Sequence, residues 1–320
     1  MRELELWQAV VLGVVEGVTE YLPISSTGHL ILASAAMELD LESQAVKDFG
    51  IVIQGGAILA VLGLYWPAVV KMLQGLIGRD TQGLRLLANL VIAFLPSAVV
   101  GLLLNKWIDS HLMGVLPVMA AVLVGGVYMI GVDLWGQGRL GRAGAMRPWR
   151  AEPKSIYDVT AREALMIGLL QCFALWPGTS RSMMTISGGL FAGLRGREAA
   201  QFSFLLGLPT LTAATLYKLY KNLSHAKETG TPNMFEVLGV GACVLGIAVA
   251  AVSAGVAVKW LVGFLTRHGL APFGWYRIGL FVVLVVLSLT GVLSIGGGAG
   301  QDDTRPPQTV APLSWPEEKR

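Results

Sequence analysis

Charged side chains are scarce in this sequence. Asp, Glu, Lys and Arg make up 14% of its 320 residues, whereas hydrophobic residues make up 54%, and the mean hydropathy is +0.62. A soluble domain usually carries about 25% charged residues. A chain this poor in charge cannot cover its surface in water, but a lipid bilayer removes that requirement. The composition therefore predicts an integral membrane protein.

Cysteine is also rare, with only Cys172 and Cys243, both in apolar segments. They form neither a disulfide framework nor a metal-ligand pattern, so we interpret them as packing residues. The net charge of +3 says little about partners until the charges are placed on loops, and we expect no nucleic-acid partner. Glu16 and Glu20 interrupt the first apolar run, and no small-residue cleavage site follows it. We therefore expect this run to belong to the mature protein.

Long apolar segments are what the sequence has instead. A spanning helix needs about 20 mostly apolar residues. Six segments qualify: roughly 48–66, 84–105, 114–135, 197–220, 235–258 and 273–295. The stretches 7–36 and 161–192 are each interrupted by Pro and small polar residues, and each is too long for one span and too short for two. We expect both to be re-entrant helix–loop–helix segments, with a polar site between them, because irregular backbone at membrane depth is tolerated only inside protein or beside a cavity.

The predicted elements occur in the same order twice, as a broken segment followed by three spans. Residues 13–16 before Pro23 also resemble residues 168–171 before Pro177, with one residue of slip. The sequence thus predicts an all-α fold built from two repeats. The predicted organisation is a single membrane domain over 1–296, with halves at about 7–135 and 161–295, a basic linker at 136–160 and a disordered polar tail at 297–320.

The charges on the loops predict the orientation of the chain. The positive-inside rule places the Arg-rich loop 136–162 in the cytoplasm. The loops 67–83 and 259–272 fall on the same side, the acidic stretch 38–48 suits the outside, and the basic loop 218–234 is an exception. Both termini then lie outside, and the halves enter the membrane from opposite sides. This predicts an inverted-topology repeat, whose site usually lies at the midplane.

Four ionisable residues lie within the broken segments: Glu16, Glu20, His29 and Arg181. Ionisable residues at membrane depth are costly and are candidates for function. Glu16 and Glu20 are four residues apart and share one helix face. Either one carboxyl holds a proton, as a general acid or base, or a hard cation such as Mg²⁺ or Ca²⁺ lies between the two. A buried pair bonded to hydroxyl or backbone groups is the structural alternative.

Hydroxyl residues follow the proline in each broken segment, where a second half-helix should begin. They are Ser25, Ser26 and Thr27 in the first segment and Thr179, Ser180 and Ser182 in the second. Such residues cap helices, and a helix N-terminus binds anions. For any single hydroxyl, capping alone is an equally good interpretation. Arg181 suits phosphate oxygens, and an ion pair with Glu16 or Glu20 is its structural alternative.

Together these groups match metal-assisted phosphoryl transfer. His29 or Ser26 would be the nucleophile, or His29 a general acid or base, and the position in the membrane predicts a lipid phosphate or diphosphate. A transporter or flippase is the main alternative, because broken helices at the midplane also occur in transporters. A small-anion channel is the second. The fold does not discriminate among them.

The same residues resemble a known family. Residues 16–30, EGVTEYLPISSTGHL, resemble the first signature of the bacterial undecaprenyl-diphosphatases, the bacitracin-resistance family. Residues 177–182, PGTSRS, followed by TISGG at 185–189, resemble the second. The resemblance covers about residues 5–295, without the Arg-rich loop.

The resemblance implies a multi-pass enzyme of the bacterial inner membrane that hydrolyses undecaprenyl diphosphate, recycling the lipid carrier for cell-wall polymers and conferring bacitracin resistance. It further implies a divalent cation and a site open to the extracytoplasmic side. A homo-oligomer is possible, and the sequence does not decide the oligomeric state. The catalytic candidates are Glu16, Glu20, Ser26, His29 and Arg181, with Glu16 and Glu20 also as cation ligands. The phosphate-binding candidates are Ser25, Thr27, Ser180, Arg181, Ser182 and Thr185. Whether Ser26 or His29 attacks is undecided.

Overall fold

The structure is a computed structural model that describes residues 4–39, 44–139 and 154–290. All secondary structure in these residues is helical. The α-helices are α1 (Leu6–Tyr21), α2 (Ser26–Ala36), α3 (Gln44–Leu64), α4 (Trp66–Leu76), α5 (Thr81–His111), α6 (Val115–Gly136), α7 (Ala161–Cys172), α8 (Arg181–Phe191), α9 (Gly196–Thr229), α10 (Met234–Leu238), α11 (Val240–Leu265) and α12 (Ala271–Leu289). The central part of the predicted linker and the predicted polar tail lie outside the described residues.

Six helices are long and apolar enough to cross a membrane: α3, α5, α6, α9, α11 and α12. They confirm the predicted all-α, multi-pass membrane protein. The helix that contains the predicted span 197–220 extends beyond it, because no helix breaker occurs in the polar residues that follow the span. α9 continues to Thr229 and ends where Gly230 adopts a left-handed φ of 69°. The predicted span 235–258 is divided by Gly239 into α10 and α11.

The predicted loop 67–83 contains a helix that the sequence analysis missed. α4 begins with Pro67 in its first turn, a position where proline favours a helix. Its buried residues Ala68, Met72 and Gly75 lie on one face, which packs against α5. The segment is too short to span a membrane, so a search for spans of about 20 residues does not detect it.

The two halves of the chain interlock. α1 packs against α11 of the second half, and α7 packs against α5 of the first half. α11 also lies against α3, and these approaches are close: a side chain at Gly17 would collide with Ser253 Oγ, and one at Gly56 would lie 2.9 Å from Ala250 Cβ. This reciprocal packing is what a two-fold repeat requires. Its inverted orientation in the membrane stays a prediction.

Candidate active site

The two broken segments adopt the same backbone geometry where their second helices begin. Ser25 has φ 74° and ψ 96°, and Ser180 has φ 76° and ψ 114°. Each side chain caps its helix, with Ser25 Oγ accepting from Gly28 N at 3.3 Å and Ser180 Oγ from Met183 N at 3.3 Å. The predicted caps are therefore confirmed. A non-glycine residue in such a region costs about 1–3 kcal/mol and persists only where its surroundings hold it.

The two turns contact each other directly. Ser182 Oγ donates to the Leu22 carbonyl at 2.9 Å, and the hydroxyls of Ser180 and Ser182 are 3.0 Å apart. Since the Ser182 proton is engaged with Leu22, Ser180 donates to Ser182. Ser182 is fully buried. The hydroxyls of the second turn thus join the two breaks into one site, although the two turns are separated by about half of the chain.

Glu20 is the centre of the polar contacts at this junction. Its Oε2 accepts from Ser26 Oγ at 2.9 Å, and its Oε1 accepts from Arg181 Nη2 at 3.1 Å. Arg181 Nη1 donates to the Ser203 carbonyl at 3.0 Å, and its Cζ lies 5.2 Å from the centre of the Tyr21 ring. The side chains of Glu20 and Arg181 are 7% and 9% exposed, so this ion pair is shielded from water.

Arg181 retains a free donor despite these contacts. Its Nε is buried and has no partner within the described residues. Thr185 contacts the main chain of the same residue, because its hydroxyl donates to the Arg181 carbonyl at 2.9 Å, and it also lies 2.6 Å from Ser203 Oγ. Thr185, a predicted phosphate ligand, therefore has its hydroxyl engaged with protein groups. Thr27, another predicted ligand, is half-buried in the first turn of α2.

Glu16 lies one helical turn before Glu20 and is 2% exposed. Within the described part of the chain, no hydrogen bond or ion pair is found for its carboxylate. An isolated buried carboxylate is costly, so it requires a proton or a cation. The described residues contain no group of three His, Cys, Asp or Glu that could enclose a metal. Mg²⁺, however, is commonly held by one or two carboxylates together with substrate phosphates, and Glu16 with Glu20 fits that pattern.

His29 contacts the first turn and α12 through its two ring nitrogens. Its Nδ1 lies 2.7 Å from the Ser25 carbonyl, and its Nε2 lies 2.7 Å from the hydroxyl of Tyr276, whose ring stacks on the imidazole with centroids 5.5 Å apart. A carbonyl only accepts, so Nδ1 carries the proton, and Nε2 of the neutral ring accepts from Tyr276. The structure thus brings Glu20, Ser26 and Arg181 into direct contact, but it gives His29 no hydrogen bond with any of the three.

Tyr276 and its neighbour Arg277, both in α12, were missed in the sequence analysis. Arg277 is fully buried, and its Nη2 donates to the carbonyl of Gly178, in the second turn, at 2.8 Å. Arg277 could have been identified from the sequence, because it lies within the predicted span 273–295. The reasoning that selected Arg181, a charge at membrane depth, selects Arg277 as well.

Comparison with known proteins gives consistent matches over this part of the chain. The family model described as "Bacitracin resistance protein BacA" matches residues 9–283. An undecaprenyl-diphosphatase of Sorangium cellulosum is 47% identical over 281 residues, which cover 88% of this chain and 86% of that protein. The undecaprenyl-diphosphatase 2 of Rhodospirillum rubrum is 44% identical over 289 residues, which cover 90% of this chain and 97% of that protein. Both turns, the second broken segment and all but the first two residues of the first broken segment fall within the residues that the family model matches.

Proposed function

We propose, because this chain belongs to the bacitracin resistance protein BacA family, that it hydrolyses undecaprenyl diphosphate to undecaprenyl phosphate and inorganic phosphate. The observation that carries the proposal is the contact of Glu20 with both Ser26 and Arg181. It joins a hydroxyl, a base and a phosphate-binding cation: Ser26 and Arg181 each begin the helix that follows a turn, and Glu20 lies near the end of α1, before the first turn. The activity would recycle the lipid carrier for cell-wall polymers and confer bacitracin resistance.

Arg181 and the two helix N-termini bind the terminal phosphoryl group. The guanidinium is held in place by Glu20 and by the Ser203 carbonyl, and its buried Nε remains available for a phosphate oxygen. Free N–H groups in the first turns of α2 and α8 add partial positive charge next to it. Because the two turns are in contact, both helix N-termini act on the same anion. Binding energy is therefore concentrated at the phosphoryl group that is transferred.

Ser26 is the group that attacks. Its Oγ forms a bond to the terminal phosphorus while its proton passes to Glu20 Oε2, and the anhydride P–O bond breaks to release undecaprenyl phosphate. A water molecule then cleaves the phosphoserine bond. One water proton goes to Ser26 Oγ and the other stays on the released phosphate, while the proton on Glu20 leaves to solvent. A hydroxyl and its base within 2.9 Å are typical of nucleophilic catalysis, whereas His29 would first have to release Tyr276.

Glu16 and Glu20 hold a divalent cation, Mg²⁺ or Ca²⁺, in this proposal. Arg181 compensates the charge of Glu20, but no cation among the described residues pairs with Glu16. When bound, the ion supplies positive charge to the phosphoryl oxygens. The Glu16 carboxylate supports this assignment, because it is buried one helical turn from Glu20 and has no hydrogen bond or ion pair within the described residues.

The protein would reside in the bacterial plasma membrane, with the site open to the extracytoplasmic side. The basic loops favour the cytoplasm and support this orientation of the chain. The opening of the site to the extracytoplasmic side is what the family resemblance implies. The lipid tail would lie among the apolar helices or in the bilayer, and only the diphosphate would enter the site between the two turns.

The test is phosphate release from undecaprenyl diphosphate by the purified protein in detergent, with and without a chelator. Transport has no direction in detergent, so release identifies hydrolysis and not a flippase or channel. We expect release that the chelator abolishes and that added Mg²⁺ or Ca²⁺ restores. A monodisperse protein that releases no phosphate under any of these conditions would overturn the proposed function, and release that is insensitive to chelator would overturn the cation.

A further inference from the structure

Arg277 is a buried cation that the proposed mechanism does not use. It lies in α12 and is fully buried. None of its contacts within the described residues is a carboxylate: Nε donates to the Val122 carbonyl at 3.2 Å, and Nη2 donates to the carbonyls of Ala121 and Gly178 at 2.9 and 2.8 Å. Its Nη1 has no partner there. A buried charge without a counter-ion is costly, so simple packing does not explain an arginine at this position.

The contacts of Arg277 join three parts of the protein. Two acceptors are main-chain groups of α6, and the third is the turn that precedes Ser180 and Arg181. The same turn is also held to α6 by Trp176, whose indole N–H donates to the Pro117 carbonyl at 3.1 Å. Arg277 therefore connects α12 and α6 to the backbone that sets the direction of Arg181.

α6 is shaped to admit the guanidinium. A Cβ added at Gly125 would lie 2.8 Å from Arg277 Cζ and would collide with Nη2. Gly131, in the same helix, has nothing within 4 Å of such a Cβ. One glycine of α6 is thus required by the arginine, and another is not. This difference supplies a matched pair of variants.

We propose that Arg277 is a positioning residue, which fastens the Gly178 carbonyl and thereby holds Ser180 and Arg181 against Glu20. Ser180 keeps a strained φ of 76°, and such a conformation persists only where the neighbouring structure fixes it. The hydrogen bond to Gly178 comes two residues before Ser180 and supplies that constraint. The expected effect of Arg277 on turnover rests on the proposed function, whereas its expected effect on the conformation of the turn does not.

The test compares Gly125→Ala, which leaves Arg277 in the chain but displaces its guanidinium, with Gly131→Ala. Catalytic groups misplaced by about 1 Å can cost about 100-fold in rate. We therefore expect Gly125→Ala to lower kcat per mole of monodisperse protein by about 10- to 100-fold, with KM changed by less than about threefold. Gly131→Ala should stay within about twofold of the unmodified protein. In an Arg181→Lys background Gly125→Ala should cost much less, since both changes act on the same contact.

Hydrogen–deuterium exchange of residues 176–184 gives a second readout that does not depend on catalysis. We expect these amides to exchange faster in Gly125→Ala than in Gly131→Ala, with little change in α9. Arg277→Lys, which keeps the charge but loses the fork, should behave like Gly125→Ala in both assays. Equal exchange in the two glycine variants would overturn the proposal, even if the unmodified protein proved inactive. A kcat of Arg277→Lys within about twofold of the unmodified protein would also overturn it.

Discussion

Replacing Ser26 by Ala distinguishes two possible roles of its hydroxyl, because each role predicts a different loss of turnover. If Ser26 only orients Glu20, the change removes one hydrogen bond to a charged group, worth about 1.5–3 kcal/mol. At about 1.36 kcal/mol per tenfold, turnover would then fall by about 10- to 150-fold. If Ser26 is the nucleophile, the loss should reach about 10⁴-fold or more. We expect the larger loss.

The assay is phosphate release in detergent, with Ser34→Ala as the control. Ser34 is also buried in α2, but it lies more than two helical turns from Ser26, so its variant should keep turnover within about threefold. Acid quenching of the unmodified protein with substrate labelled in its terminal phosphate should trap phosphoserine, which survives acid, whereas phosphohistidine does not. Turnover of Ser26→Ala within about 150-fold, together with an acid-labile phosphoenzyme, would refute the assignment and leave His29 as the nucleophile.

Three further outcomes are expected. Arg181→Lys should lower kcat by about 10²- to 10³-fold, because one ammonium cannot replace a fork that holds both Glu20 and phosphate; a loss below about fivefold would contradict its phosphate role. Glu16→Gln should raise the Mg²⁺ concentration for half-maximal turnover by at least about tenfold, and an unchanged Mg²⁺ titration would exclude Glu16 as a ligand. Tyr276→Phe keeps the ring stacked on His29 and removes one hydroxyl, so turnover should fall by less than about tenfold; a loss comparable to that of Ser26→Ala would place the His29–Tyr276 pair in the chemistry.

The membrane fold could be predicted from the sequence because its signals are local. A run of about twenty apolar residues can be recognised without knowledge of the rest of the chain. The same holds for a proline followed by hydroxyl residues. The six spans and the two serine caps were therefore predictable. α4 was not, because its stability depends on a face of Ala68, Met72 and Gly75 that packs against α5, and this partner is not visible in the segment itself.

Contacts within the site were harder to predict, because they depend on how the two halves pack. The sequence identified Glu16 and Glu20 as possible partners of Arg181, but not which of them forms the ion pair. The choice of Glu20 depends on the contact between turns that are about 160 residues apart in the chain. His29 lies close in sequence to Glu20 and Ser26, yet its ring nitrogens contact the Ser25 carbonyl and the Tyr276 hydroxyl. Its catalytic role stays a prediction.

The two turns share their backbone geometry at Ser25 and Ser180 but differ in chemistry, which argues for one active site. Nine residues before each cap the first half has Glu16 and the second has Gln171; one residue after each cap stand Ser26 and Arg181. Gln171 is buried, and its amide donates to hydroxyls that directly follow Pro96 and Pro209, which are the prolines inside α5 and α9. Glu16, Glu20 and Ser26 thus lie in one half of the chain and Arg181 in the other. Neither half is complete alone, and the contact between the turns assembles the site.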